Sequence, residues 1–272
     1  MSGGISHAMR PARRLTMALL VVMTMQALTG LLFENEYRDV DWIRATWFGN
    51  DWVTLVVAIP LLVVGLVRVA AGSARGLLLW LGVAGYALYN YAFYLFGAAL
   101  NAFFLIYVAA LILAASVLIL GLSHIEPRRL ADSFRPTTPV RLVGGSLVFV
   151  GSGLSSVWVA MWAAHVFADR PTPIEPEAFK LVAALDLSLM VPALTSGGVL
   201  LWKRLPWGFA IATIASIQTA LYLLVLSVNS LVLIRRGIAS SPGELPIWGP
   251  LTIFTTAVAV VLVTNIRPDA RH

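Results

Sequence analysis

Apolar residues in this chain come in unbroken blocks of about 20, the length of helix needed to cross the hydrocarbon core of a bilayer. The blocks cover residues 15–33, 52–71, 76–97, 102–122, 141–167, 179–202, 207–233 and 248–266. Helix is expected in each, because a backbone crossing lipid must satisfy its own polar groups. The alternation of apolar and polar positions that marks barrel strands is absent. The pattern therefore predicts an all-α, polytopic transmembrane helix bundle of about eight helices. The polar stretches between blocks are roughly 15–20 residues at most, too short for a core of their own. Residues 1–272 thus read as a single transmembrane domain.

Charge orients the bundle. Only 12% of residues are charged, about half the usual share for a soluble domain, so a formal net charge of +6 needs a different explanation from nucleic-acid binding. With the N-terminus inside, 13 Lys and Arg residues fall in the inner segments and 6 in the outer ones, the bias expected of cytoplasmic loops. Acids run the other way: Glu34, Glu36, Asp39, Asp41, Asp51, Asp169, Glu175, Glu177 and Glu244 lie outside, and only Glu126, Asp132 and Asp269 inside. The expectation is N-in/C-in insertion in the cell inner (plasma) membrane, with the lipid bilayer as partner and no nucleic acid. Arg13-Arg14 before the first block superficially resembles a twin-arginine signal, but the following apolar run is long and no cleavage site is evident, so it reads as an uncleaved first span.

Residues 34–51 form an acidic outer loop with Trp42, Trp47 and Phe48, and Trp52 follows it; aromatics of this kind suit the headgroup layer. Residues 168–178 form a proline-rich outer loop, 234–247 a third, and 123–140 the one sizeable inner loop.

Asp186 is the one acid this reading sets deep in a span. A carboxyl group there is costly and marks a functional site by default. Pro192 follows it and should free backbone carbonyls near the midplane. An ion or proton site and a structural hydrogen bond explain it about equally well. Tyr86, Asn90 and Tyr94 share one face of the third span, and Gln218 lies near the middle of the seventh, within reach of Asp186 or Asn90. These are the candidate ligand or ion-binding residues, although interhelical hydrogen bonding explains the last four as readily. Gly151, Ser155, Ser152 and Ser156 in the fifth span suggest tight helix packing or a homo-oligomer seam. His165 and Asp169, with Glu34 and Glu36 on the same side, are weak candidates for a metal site; carboxylates in a wet loop are more often simply solvated.

Spans 2–3 and 6–7 share a frame at an offset of 132, pairing Pro60 with Pro192, Gly65 with Gly197 and Gly76 with Gly208. Apolar segments match readily by chance. A real repeat would be a parallel four-plus-four duplication of residues 1–130 and 131–272.

The chain has no cysteine, which excludes thiolate chemistry and iron–sulfur clusters. No histidine pair faces another inside the bilayer, no phosphate-binding loop or hydrolase motif occurs, and no lysine lies at mid-membrane. No cofactor is expected, and enzymatic activity is disfavoured. Two segments, YALYNYAFYLFGAALNAFFLIYVAAL (86–111) and DLSLMVPALTSGGVLLWKRLPWGFA (186–210), resemble stretches of bacterial multispan membrane proteins of unassigned activity. The resemblance implies a bacterial membrane protein and carries no activity. Three functions are consistent with the residues: a small transporter or ion/proton-coupled permease using Asp186, a non-catalytic membrane subunit or sensor whose outer loops meet a partner or ligand, and, third in order, a membrane-embedded lipid-modifying enzyme.

Overall fold

The computed structural model describes residues 9–267 and is all-α, with nine helices among those residues. Eight are long and apolar enough to cross a membrane: α1 (Arg10–Leu32), α2 (Asp41–Ala70), α3 (Ala74–Gly97), α4 (Phe104–Ser123), α6 (Val140–Ala168), α7 (Pro176–Trp202), α8 (Pro206–Arg235) and α9 (Leu245–Thr264). The ninth, α5 (Pro127–Asp132), is a short helix in the connector between α4 and α6. This is a multi-pass membrane protein, and each apolar block predicts one of its long helices. The ends differ where polar residues continue a helix past its apolar run. The largest difference is at residues 34–51: from Asp41 onward they are helix, not loop, because Ala45, Trp47, Asn50 and Asp51 follow helical spacing and turn into the bundle. Proline occupies the first turn of α1, α5, α7, α8 and α9, where its missing N–H costs nothing.

α3 and α8 are the two most buried spans and pack directly on each other. Side chains of α8 press against bare α3 backbone at Gly82 and Gly85. A β-carbon on Gly82 would lie 2.6 Å from Ile217 Cβ, and one on Gly85 2.8 Å from Gln218 Oε1. The other spans surround this pair.

Local geometry recurs 132 residues apart. α2 widens into a π-helical turn at Thr54–Ala58 and α7 at Asp186–Met190, each just before a proline, Pro60 or Pro192. A wider turn accommodates a ring that would otherwise clash with the preceding carbonyls. Both hairpins then turn through a left-handed residue, Gly72 at φ 81° and Arg204 at φ 55°. The next amide bonds back identically, Ser73 to the Arg68 carbonyl at 3.0 Å and Leu205 to the Leu200 carbonyl at 2.9 Å. Gly65 abuts the backbone of Trp80, and Gly197 that of Ala212; Gly76 abuts Arg68 and Val69, and Gly208 abuts Leu200 and Leu201.

The flanking helices do not follow this frame. α1 packs on α4, whereas α6 packs mainly on α7 and barely touches α9. Along the first half of α6, Gly144 and Gly198 approach each other backbone to backbone, and Gly151 sits against Leu194 and Thr195. Beyond Gly151 the outer face of the helix opens to the exterior: Ser152, Gly153 and Ser156 are exposed, and nothing lies near Gly153.

One face of the bundle, the terminal face, carries the start of α1 and the end of α9. There the α4–α6 connector docks on the chain beyond α9. Arg135 N–H donates to the Asn265 carbonyl and Arg267 N–H to the Ser133 carbonyl, both at 2.8 Å, flanking a Phe134–Ile266 bridge. The Phe134 ring packs on Phe209 at 4.9 Å, and the Arg75 guanidinium caps the Ile266 carbonyl.

Candidate functional site

The wide turn of α7 directs Asp186 toward α3 and α6. Its carboxylate is 1% exposed. Tyr89 Oη donates to Oδ1 at 2.6 Å, and Trp158 Nε1 donates to Oδ2 at 2.8 Å. Tyr89 meets Tyr222 edge-on at 4.8 Å, and Trp158 meets Phe179 edge-on at 5.2 Å. Both donors are neutral, and among the described residues no cationic side chain pairs with Asp186. The enclosed cavity between α6, α7, α8 and α9 is lined by Leu147, Leu194, Thr219 and Val258 among others, and does not reach the carboxyl.

A second acid lies as deep, and the sequence reading missed it by assigning it to the outer loop. Asp51 is fully buried. It accepts from Tyr37 Oη at 2.6 Å, Tyr94 Oη at 2.7 Å and Gln26 Nε2 at 2.9 Å. Gln26 Oε1 in turn accepts from Tyr91 Oη at 3.1 Å. Trp47, Tyr37, Tyr94 and Tyr107 stack around this cluster. Tyr37 belongs to the segment between α1 and α2. Burial first, and the neighbouring Asp51 carboxyl second, push its phenol well above the ordinary tyrosine range. The available signal was the spacing of Trp47, Asn50, Asp51, Thr54 and Ala58, which recurs at three and four residues; the density of acids upstream obscured it.

The sequence candidates divide among separate clusters. Tyr94 joins Asp51. Tyr86 shares a 3.1 Å hydrogen bond with Thr54, the residue that opens the π turn of α2. Asn90 belongs to a buried carboxamide chain: Asn229 Nδ2 donates to Asn50 Oδ1 at 2.9 Å and Asn50 Nδ2 to Asn90 Oδ1 at 3.3 Å. The ends of this chain, Asn90 Nδ2 and Asn229 Oδ1, are buried and have no partner among the described residues. Gln218 packs over Gly85 and bonds to neither Asp186 nor Asn90. Thus α3 sends polar groups to three neighbours, Tyr86 and Asn90 to α2, Tyr89 to α7, and Tyr91 to α1, in separate clusters.

The metal candidates are likewise apart. Glu34 pairs with Arg236, and Glu36 is exposed. His165 Nδ1 lies 2.8 Å from the Arg170 carbonyl, and Asp169 takes a left-handed conformation ending α6. No three His, Asp or Glu side chains gather as metal ligands among the described residues. His7, His272 and Asp269 lie outside the described residues.

No family model, curated protein or solved structure matches this chain.

Proposed function

We propose that this membrane protein is a small ion- or proton-coupled permease of two half-bundles, residues 1–130 and 131–272, in which Asp186 is the acid that takes up and releases the ion or proton. The observation that carries the reading is the position of Asp186 at the start of the π-helical turn of α7, held by neutral donors from two other helices, one of them Tyr89 of the opposite half. π turns inside α-helices are frequent at functional sites, and an ionisable group in the membrane interior marks such a site by default. The duplication is supported by the paired π turns, left-handed turns and glycine contacts at the same offset.

In this reading the structure is a closed state. Contacts between the halves hold both faces: Glu34–Arg236, Trp42–Glu175 and Asn50–Asn229 on one, Arg75 to the Ile266 carbonyl on the other. Insertion in the inner membrane with both termini in the cytoplasm is part of the same proposal, supported by the bias of 13 basic residues to 6.

The test is proton entry into vesicles of purified protein loaded with a pH-sensitive dye, under an imposed potential. Wild type admits protons faster than protein-free vesicles, Asp186→Asn folds but does not, and Asp186→Glu keeps part of the flux. Vesicles as tight as protein-free ones would favour a second reading, a non-catalytic membrane subunit or sensor. That reading has a specific observation behind it. The cavity between α6, α7, α8 and α9 stops short of Asp186, and the face bearing Tyr37 is stitched into a fixed surface by Asp39, which accepts from Trp47 Nε1 and from Ala99 N–H, both at 2.9 Å.

A further inference from the structure

The terminal face holds an open cavity of about 460 Å³ lined by Ile125, Glu126, Pro127, Arg128, Arg129, Pro206 and Trp207. Its depth follows from the helices that frame it. α4 ends at Ser123 and α8 begins at Pro206, so the cavity lies where two spans leave the hydrocarbon, at the level of lipid headgroups. Its apolar lining is Ile125, the two prolines and the exposed Trp207, and Glu126, Arg128 and Arg129 give it a net cationic rim.

The charges on that rim are unequal. Glu126 neutralises Arg129 through contacts of 2.8 and 3.0 Å. Arg128 has no hydrogen-bond or ion-pair partner among the described residues and is exposed. Lys203 and Arg204, in the turn leading to Pro206, are also exposed. The first turn of the 30-residue helix α8 adds its positive end to the same place. The cavity wall is held in position: α5 packs on α8, Phe134 on Phe209, and the connector backbone on residues 265–267.

We propose that this cavity binds the phosphate headgroup of an anionic phospholipid, with Arg128 as its principal ion pair, Trp207 at the glycerol level and the acyl chains running down the bundle between α4 and α8. The inference does not depend on the permease reading. Basic recesses between spans at this depth suit anionic headgroups, and each cation near such a surface contributes about fivefold to affinity.

The experiment is lipid retention by the purified full chain in native mass spectrometry, with phosphatidylglycerol and phosphatidylcholine added at equal concentration. Wild type should retain phosphatidylglycerol preferentially. Arg128→Gln should weaken that preference about fivefold, and Arg128→Glu should remove it. Arg38→Gln, exposed on the opposite face, should leave it unchanged. Arg128 is on the surface, so the variants should keep wild-type helicity and elution volume. Equal retention of the two lipids by wild type would overturn the proposal, as would an unchanged preference in Arg128→Glu. Displacement of phosphatidylglycerol by millimolar inorganic phosphate would reassign the cavity to free phosphate and overturn the lipid site.

Discussion

Gly30 faces Asp51 so closely that a β-carbon on it would fall 2.1 Å from Oδ2 and 2.4 Å from Tyr37 Oη. The carboxyl of α2 is therefore seated against bare backbone of α1, with no slack for a side chain. Gly30→Ala must displace either the acid or its hydrogen bonds, and overpacking of this kind costs about 1–3 kcal/mol. The loss is measured as a fall in thermal midpoint in detergent. Gly153→Ala, with nothing nearby, should stay within about 0.5 kcal/mol of wild type. Equal midpoints for the two variants would contradict the packing described.

Tyr37→Phe removes one of three donors to Asp51 and should cost about 1–3 kcal/mol. Because Tyr37 pins the segment between α1 and α2, its loss should also loosen that segment. A cysteine at Asn35, exposed in this otherwise cysteine-free chain, should then be labelled faster than in the parent.

Alkaline stability provides a separate check on Tyr37. Its folded pKa is raised above the unfolded value, which is about 10. Its contribution is therefore fully present below pH 10 and declines as pH rises toward the folded value, because only the unfolded chain has released the proton. Over that interval stability falls by about 1.4 kcal/mol per pH unit for each such group. Tyr37→Phe should unfold with a pH slope shallower by one proton above pH 10 and an unchanged slope at neutral pH. An identical slope above pH 10 would count against its burial.

The apolar blocks made the fold readable because lipid imposes one secondary structure and one length on each crossing. The small residues of α6 were readable only in part. Gly144 and Gly151 do meet α7, but the same composition continues through Gly153 and Ser156, which face outward; composition does not tell which face of a helix meets its neighbours. Asp51 was hidden because a polar helix entering the bundle looks like a loop when spans are drawn from apolar runs. Asp186 stood out because its surroundings in sequence are apolar. Its partners Tyr89 and Trp158 were not legible, since the sequence gives no relative rotation of three helices. Tyr89 sits between Tyr86 and Asn90, two of the three residues chosen from that span, and points to a different helix.

Gly198 offers a prediction at the α6–α7 contact. A β-carbon there would lie 2.6 Å from the Gly144 carbonyl oxygen, and the reverse distance is the same. Gly144→Leu or Gly198→Leu should lower the thermal midpoint more than Leu at Ser156, which is exposed. Equal midpoints across the three variants would mean that α6 is not held at Gly144.

Labelling of single cysteines tests the proposed orientation. Cysteines at Asn35 and Ser240 should react with an impermeant reagent in intact cells, and cysteines at Ser123 and Ala131 only after permeabilisation. Reaction at Ala131 from outside would invert the orientation.

The docking of Ser133 and Arg135 on residues 265–267 also bears on how the protein is made. The connector emerges after four spans, but the backbone groups it bonds to are synthesised only after the eighth. Until then Phe134 and the Ser133 carbonyl lack the partners they have at residues 265–267, and that part of the terminal face is unfinished. Completion of that face is thus a late event in biogenesis, when the middle of the polypeptide waits for its last crossing.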